Sequence, residues 1–391
     1  MKHLEIIFRT LLWVILMLPS CEMKASEVTD NPYDSLEISL LTCSPHEEIY
    51  SLYGHTALRY HDLRTDEDIV LNWGLFNFHA PHFVARFVFG LTDYEVGPAP
   101  LNHFCGYYAK WGSSVTEQVL NLTAEEKRDI MDALNENLKP ENRIYRYNFF
   151  YDNCATRPRD IIERNLHGKL QYAPRPDYQP TFRDMIRLQT RNHSWATFGN
   201  DILLGVKADM KTTRQEQEFL PANLQYDFDH AVILDADGST RPLVSQREEL
   251  VSPGVQYVQS DFPLSPTECF VLLLLLSILI LFLEWKRGKT YRYWDTLLML
   301  LTGLSGCVLF VMLFSQHPCT STNLQLFLLN PMPLFFLPSV WRRRKTRWWI
   351  LSFCLIVLFF IGGIWQSYAE GMYILALSLL TRICSHLKNE K

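Results

Sequence analysis

Residues 269–382 consist of long apolar runs broken by short polar loops, and this pattern restricts the possible folds more than any other feature. A helix needs about 20 mostly apolar residues to cross a bilayer. Five stretches are candidates, near 268–284, 294–314, 322–340, 347–365 and 367–383. Pro331, Pro333 and Pro338 interrupt the third, which a span tolerates where neighbours satisfy the freed carbonyls. A wholly soluble protein is excluded. The mean hydropathy of −0.04 averages this half with a polar, mixed segment at 26–262.

The loops test the count. Lys286, Arg287, Lys289 and Arg292 fill the first, and Arg342, Arg343, Arg344, Lys345 and Arg347 the third. The second (315–322) and fourth (365–371) contain no Lys or Arg. Basic loops face the cytoplasm, so the alternation fits five spans and puts the N-terminal domain outside. Trp285, Trp294, Trp341, Trp348, Trp349 and Trp365 fall at span ends, where indoles favour the interface. At the N-terminus, Lys2 and Arg9 precede a short apolar stretch from Leu11 to Leu18, the pattern of a secretory signal. Cleavage and an uncleaved anchor both remain open, and Leu18-Pro19-Ser20-Cys21 only loosely resembles a lipobox. The expected division is 1–25 signal or anchor, 26–262 exported domain and 263–391 membrane domain.

A net charge of −5 argues against nucleic acid as a partner. The nine cysteines form no CxxC pair, which argues against a zinc ribbon. Cys43, Cys105 and Cys154 lie in the exported domain, where a disulfide is permitted. A Cys43–Cys105 bridge is one expectation, and it would leave Cys154 as a free thiol.

In that domain residues 36–43, 49–60, 69–78, 113–121 and 143–150 read as strands, with a polar hairpin at 61–68. Residues 82–90 fit a helix or a membrane-facing edge. Thr123 and Glu126 make a capping box that opens a helix to Leu138. Asp152 or Asn153 can cap a helix from Cys154 to Leu166, and short helices follow at 181–189 and 195–205. Residues 226–257 are mainly strand-like, and 258–267 read as a linker. The class is α+β, followed by a helical membrane domain.

Two residues suggest chemistry. Cys154 follows an aromatic strand and begins a helix, where N–H donors and partial positive charge favour a thiolate. The same donors suit an oxyanion. His55 lies mid-strand beside Gly54. Together they fit a nucleophile and its base. Asn72, on the adjacent predicted strand, is placed to accept from the ring N–H and fix the tautomer. A lone cysteine and a strand histidine are more often structural, so the pattern alone leaves both readings open. Arg157 and Arg159 are candidates for a phosphate or carboxylate contact, and Arg59 for an ion pair. Asp160 and Glu163 read as solvated pairs. His79, His82 and His103 lack diagnostic metal spacing, and the reading requires no metal or cofactor.

Four motifs make the chain resemble a known family. Tyr53-Gly54-His55-Thr56-Ala57-Leu58-Arg59, Asn72-Trp73-Gly74, Tyr151-Asp152-Asn153-Cys154-Ala155-Thr156 and Asn200-Asp201-Ile202-Leu203-Leu204-Gly205 resemble the bacterial Lnb family of lipoprotein N-acyltransferases. His317-Pro318, Asn323 and Asn330-Pro331 resemble its membrane region. The order of His before Cys is similar to the permuted NlpC/P60 (papain-like) class. The resemblance implies Cys154 as nucleophile, His55 as base and Asn72 as third member, with Tyr53, Asn153 and Arg157 toward the substrate. It also implies an inner-membrane location. The implied acyl donor is a membrane phospholipid and the acceptor a diacylated lipoprotein. This is chemically coherent, because the exported side has no ATP or acyl-CoA supply, and a thioester drawn from a phospholipid ester can acylate an amine. Residues 82–89 fit a segment dipping into the interface, or core packing. A cell-wall peptidase or amidase, a lipid hydrolase and a non-enzymatic binding module are rival readings. His317, Asn323 and Asn330 either bind substrate or cap broken helices, with capping the default expectation.

Overall fold

The computed structural model describes residues 31–76, 81–256, 262–344 and 346–389. The signal segment with Cys21, and His79, lie outside them. The N-terminal domain is built on a seven-stranded antiparallel sheet in the order β10-β5-β1-β2-β3-β4-β6. The strands are β1 (Leu36–Cys43), β2 (His55–Asp62), β3 (Glu67–Leu75), β4 (Asp93–Pro100), β5 (Val115–Leu120), β6 (Ile144–Arg146) and β10 (Val244–Val251). A smaller sheet pairs β7 (Lys169–Gln171), β8 (Val232–Leu234) and β9 (Thr240–Pro242). The helices of this domain are α1 (Phe83–Val88), α2 (Leu101–Lys110), α3 (Ala124–Leu138), α4 (Thr156–Arg164), α5 (Phe182–Thr190), α6 (Ser194–Leu203), α7 (Arg214–Gln217) and α8 (Pro221–Asp229).

Alternation on the central strands creates two cores, because successive side chains point to opposite faces. Ile38, Leu40, Leu58, Leu71 and Trp73 pack with Ile130 and Leu134 of α3, Ile162 of α4 and Leu224 and Phe228 of α8. Leu41, Cys43, Ala57 and Val70 point the other way, against Phe104 and Tyr108 of α2. The Thr123 capping box forms as expected, with Thr123 Oγ1 accepting from Glu126 N and Glu126 accepting from Thr123 N.

Several boundaries differ from the sequence expectation. Residues 49–51 form a 3-10 turn, and β2 starts only at His55, after Gly54 takes a positive φ of 75°. A β carbon at Gly54 would lie 2.8 Å from the Cys43 carbonyl, so glycine is needed for this approach. β6 spans only 144–146, because residues 147–155 turn back toward the sheet. Strand β4 and helix α2 had no counterpart in the sequence reading. The expected Cys43–Cys105 disulfide is absent, and both are free thiols. Cys43 instead packs in the core against Tyr108 of α2, which occupies its side of the strand.

The C-terminal domain comprises α9 (Pro266–Arg287), α10 (Arg292–Met312), α11 (Met332–Trp341), α12 (Trp348–Gly362) and α13 (Met372–Asn389). Among the described residues, three segments are long and apolar enough to cross a membrane: Pro266–Arg287, Arg292–Met312 and Leu324–Trp341. Trp348–Gly362 and Met372–His386 are shorter apolar helices. The Leu324–Trp341 segment breaks before Pro331. There Asn330 Oδ1 accepts from Met332 N at 3.1 Å, and Asn323 Oδ1 accepts from Gln325 N at 3.0 Å, so both asparagines cap.

The two domains share a polar seam. Gly205 N donates to the Cys319 carbonyl and Val206 N to the Thr322 carbonyl, both at 2.8 Å. Asn323 Nδ2 donates to Ile202 O at 2.7 Å, Gln325 Nε2 to Asp201 O at 2.9 Å and Gln366 Nε2 to Leu204 O at 3.0 Å. Buried Arg183 holds the same loop from the other side, through Asp201 Oδ1 and the Leu204 carbonyl. The Asn200–Gly205 motif therefore works as the joint between the domains.

Candidate active site

Strands β2 and β3 are antiparallel neighbours with Leu58 opposite Leu71. This register puts His55 and Asn72 diagonally on one face, within reach across the pair. His55 Nε2 lies 2.6 Å from Asn72 Oδ1. A carbonyl oxygen only accepts, so Nε2 carries the proton, and Nδ1 is the nitrogen left for the thiol.

Cys154 arrives from the turn between β6 and α4. Its helix begins at Thr156, two residues later than expected. Asn153 shapes this turn. Its Oδ1 accepts from Ala155 N at 2.9 Å and Thr156 N at 3.0 Å, and its Nδ2 donates to Phe149 O and Phe219 O. With both ends of its amide committed, Asn153 faces its own loop rather than solvent. The helix-start N–H groups of Ala155 and Thr156, expected to be free for an oxyanion, are occupied by it.

The Cys154 sulfur is buried, which alone would raise its pKa. The adjacent His55 charge, a hydrogen bond from that ring, the Thr56 N–H and the Tyr147 hydroxyl outweigh burial, and the thiol lies below its usual range. His55 moves the other way. Burial would lower it, but the Cys154 charge and hydrogen bond, with Asn72, hold the imidazole above its usual range. Each partner thus favours the charged form of the other, an arrangement that favours the thiolate.

Tyr147 was not singled out in the sequence. The signal was the alternation of Tyr145, Tyr147 and Phe149 into the Cys154 turn. Burial raises its phenol well above the ordinary value, so it stays a donor. Gly74 lies beside it, and its positive φ, not a lack of space, is what favours glycine there. A β carbon there, at φ 96°, would lie 3.7 Å from the Tyr147 ring and 4.0 Å from Cys154 Cβ.

The remaining expected residues take other positions. The Tyr53 hydroxyl accepts from Asn200 Nδ2 at 2.9 Å, and its ring packs edge-on against Phe149 at 4.9 Å. It links the site to the domain joint. Arg157 forks onto Asp152 at 2.6 and 2.8 Å and lies over the Tyr145 ring. Buried Arg159 pairs with Asp160 and Glu218. Both arginines therefore already have a carboxylate partner. Arg59 pairs with Asp68 and Glu117, as an ion-pair reading expects. Glu163 accepts from the Tyr172 hydroxyl. His82 and His103 are exposed, one before α1 and one on α2. His317 Nε2 donates to the Phe87 carbonyl at 2.6 Å, tying α1 to the loop after α10.

Comparison with known proteins agrees with this two-part architecture. The family model described as the Lnb N-terminal periplasmic domain matches residues 26–191, and the one described as the Lnb transmembrane domain matches 258–391. No curated protein and no solved structure matches the chain. The two matches lie in order on either side of the joint and cover most of the chain, with a periplasmic domain followed by a transmembrane one. The chain belongs to the Lnb family.

Proposed function

We propose that this protein moves an acyl chain from a membrane phospholipid, through a thioester on Cys154, to the α-amino group of a diacylglyceryl-cysteine at a lipoprotein N-terminus. The observation that carries this reading is the line Cys154–His55–Asn72, with the thiol lowered and the imidazole raised. The Cys154 thiolate attacks the ester carbonyl. The tetrahedral intermediate collapses, and the departing lysophospholipid oxygen takes the proton from His55. The substrate amine then attacks the thioester, His55 accepts its proton, and the thiolate leaves as the amide forms. No cofactor is required. The Tyr147 hydroxyl, which helps to lower the thiol, is a side-chain donor available to the developing oxyanion. Asn153 is a positioning residue that holds the Cys154 turn. Tyr53 borders the substrate side, while Arg157 stays engaged with Asp152.

The finer architecture follows the same reading. A His-first order on an antiparallel sheet supports a permuted NlpC/P60-like domain. Counting α12 and α13 as crossings gives five spans in the inner membrane, with basic loops inside. Holding both lipid substrates at one membrane raises their effective concentration. The peptidase reading uses the same dyad but gives no role to the membrane domain.

The test is mass spectrometry of a lipoprotein N-terminal peptide from cells lacking N-acylation that express the wild type or Cys154→Ala. Addition of one acyl chain by the wild type alone supports the transfer. A free amine in both, at equal expression, rejects it and favours a wall-peptide amidase.

A further inference from the structure

Six aromatic rings form an unbroken series from the reactive thiol to the membrane domain. Tyr147, whose hydroxyl touches the Cys154 sulfur, stacks on Tyr94 of β4 at 4.3 Å. Tyr94 meets Phe76 at 5.1 Å, Phe76 meets Phe83 at 6.1 Å and Phe83 meets Phe87 at 6.1 Å. Phe87 then meets the His317 ring at 5.5 Å, in the loop that follows α10. The Phe76–Phe83 and Phe83–Phe87 pairs are tilted by only 16° and 23°, so these rings present nearly parallel faces.

The outer end of this wall is exposed, with Phe87 48% accessible and the neighbouring Phe89 39%. Its backbone is nevertheless fixed. Ser315 Oγ donates to Val88 O at 2.8 Å, Gln316 N to Phe89 O at 2.9 Å and His317 Nε2 to Phe87 O. A segment clamped by three bonds to the top of the membrane helices still shows its phenyl rings outward. Phenyl rings held outward beside the membrane helices are suited to an apolar ligand. The polarity is also graded, with phenols at the thiol end and phenyls toward the membrane.

We propose that this wall holds the acyl chain of the Cys154 thioester, its carbonyl beside Tyr147 and its tail along Phe76, Phe83 and Phe87 toward the bilayer. The assignment rests on the thioester reading and names where its hydrocarbon lies. Continuity from the sulfur to the transmembrane domain identifies the occupant. A chain leaving the bilayer can remain on apolar surface until its carbonyl reaches the nucleophile.

The experiment uses the full-length protein in phosphatidylethanolamine vesicles, with acyl-Cys154 followed by intact mass. One donor is dipalmitoyl phosphatidylethanolamine and the other a water-soluble acetyl ester. Phe87→Ser is expected to lower the ratio of palmitoyl to acetyl transfer by about tenfold, the scale of one lost aromatic contact. On the wild type, a phosphatidylethanolamine with a diazirine along its chain is expected to cross-link within residues 83–94. An unchanged ratio with cross-links confined to the transmembrane helices overturns the wall, as does an equal loss with both donors. If the wild type is acylated by neither donor, the thioester reading itself fails and takes the wall with it.

Discussion

His55 donates from Nε2 to Asn72 Oδ1 at 2.6 Å, and this contact decides which ring nitrogen is free to face Cys154. Neutral imidazole carries one proton on either nitrogen. With Asn72 holding that proton at Nε2, Nδ1 is the acceptor, as a base requires. Asn72→Ala is expected to lower kcat by roughly 100-fold, the scale of a general acid–base contribution. Acyl-enzyme formation by rapid quench measures it. An unchanged rate would remove Asn72 from the site.

The pH profile follows from the same pair. Acylation needs the thiolate, so activity rises as pH climbs through a thiol pKa below the usual thiol range. In the proposed transfer, expulsion of the lysophospholipid needs the His55 proton, so activity should fall as pH climbs through an imidazole pKa above its usual range. The expected profile of kcat/KM is a bell bounded by these two limbs. Losing Asn72 removes a contact that holds the imidazole up, so the alkaline limb should move to lower pH. A variant whose alkaline limb stays in place would contradict this link.

Tyr147→Phe keeps the ring stacked on Tyr94 and deletes only the hydroxyl that donates to Cys154. That hydroxyl lowers the thiol pKa, so the acid limb should shift to higher pH. If the hydroxyl also serves the oxyanion, kcat should fall by about 10²-fold or more. Thiol alkylation against pH reads the first effect without any turnover.

Gly205→Ala tests the joint. A β carbon there would lie 2.0 Å from the Thr322 carbonyl, a fixed backbone atom. The seam must open, at a cost of about 1–3 kcal/mol. The expected result is a lower Tm in detergent and faster proteolysis between the domains. An unaltered Tm would show that the seam is soft.

In the transmembrane domain, Arg382 bonds both carboxylate oxygens of Glu284 and one of Asp295, and all three side chains are buried. His386 joins through Asp295, and Ser385 through Glu284. Arg382→Met leaves two buried carboxylates without their cation and should cost about 3–5 kcal/mol. Adding Glu284→Gln and Asp295→Asn should restore much of the lost thermal stability. If the single variant melts like the wild type, water reaches this cluster.

The sequence determined the features set by local chemistry. Apolar length set the C-terminal membrane region apart from the polar domain, and alternation marked Leu36–Cys43 as a strand. The Thr123-to-Glu126 spacing began a helix where it was expected. The Cys154 and His55 motifs were visible as motifs, because each is a short run with a distinctive neighbour. Tertiary structure decided what depends on contacts distant in sequence. Asn153 was legible as a cap, but not as a residue whose second amide end is taken by the Phe219 carbonyl 66 positions away. Arg157 resembled a phosphate ligand until its fork closed on Asp152. Cys43 and Cys105 were plausible partners until Tyr108 took the Cys43 side of the strand. Nor did the Asn200–Gly205 run show that it joins two domains, because its partners, Asn323, Gln325 and Gln366, lie more than 100 residues away. A side chain's type fixes which bonds it can make, and the fold alone decides which partner arrives first.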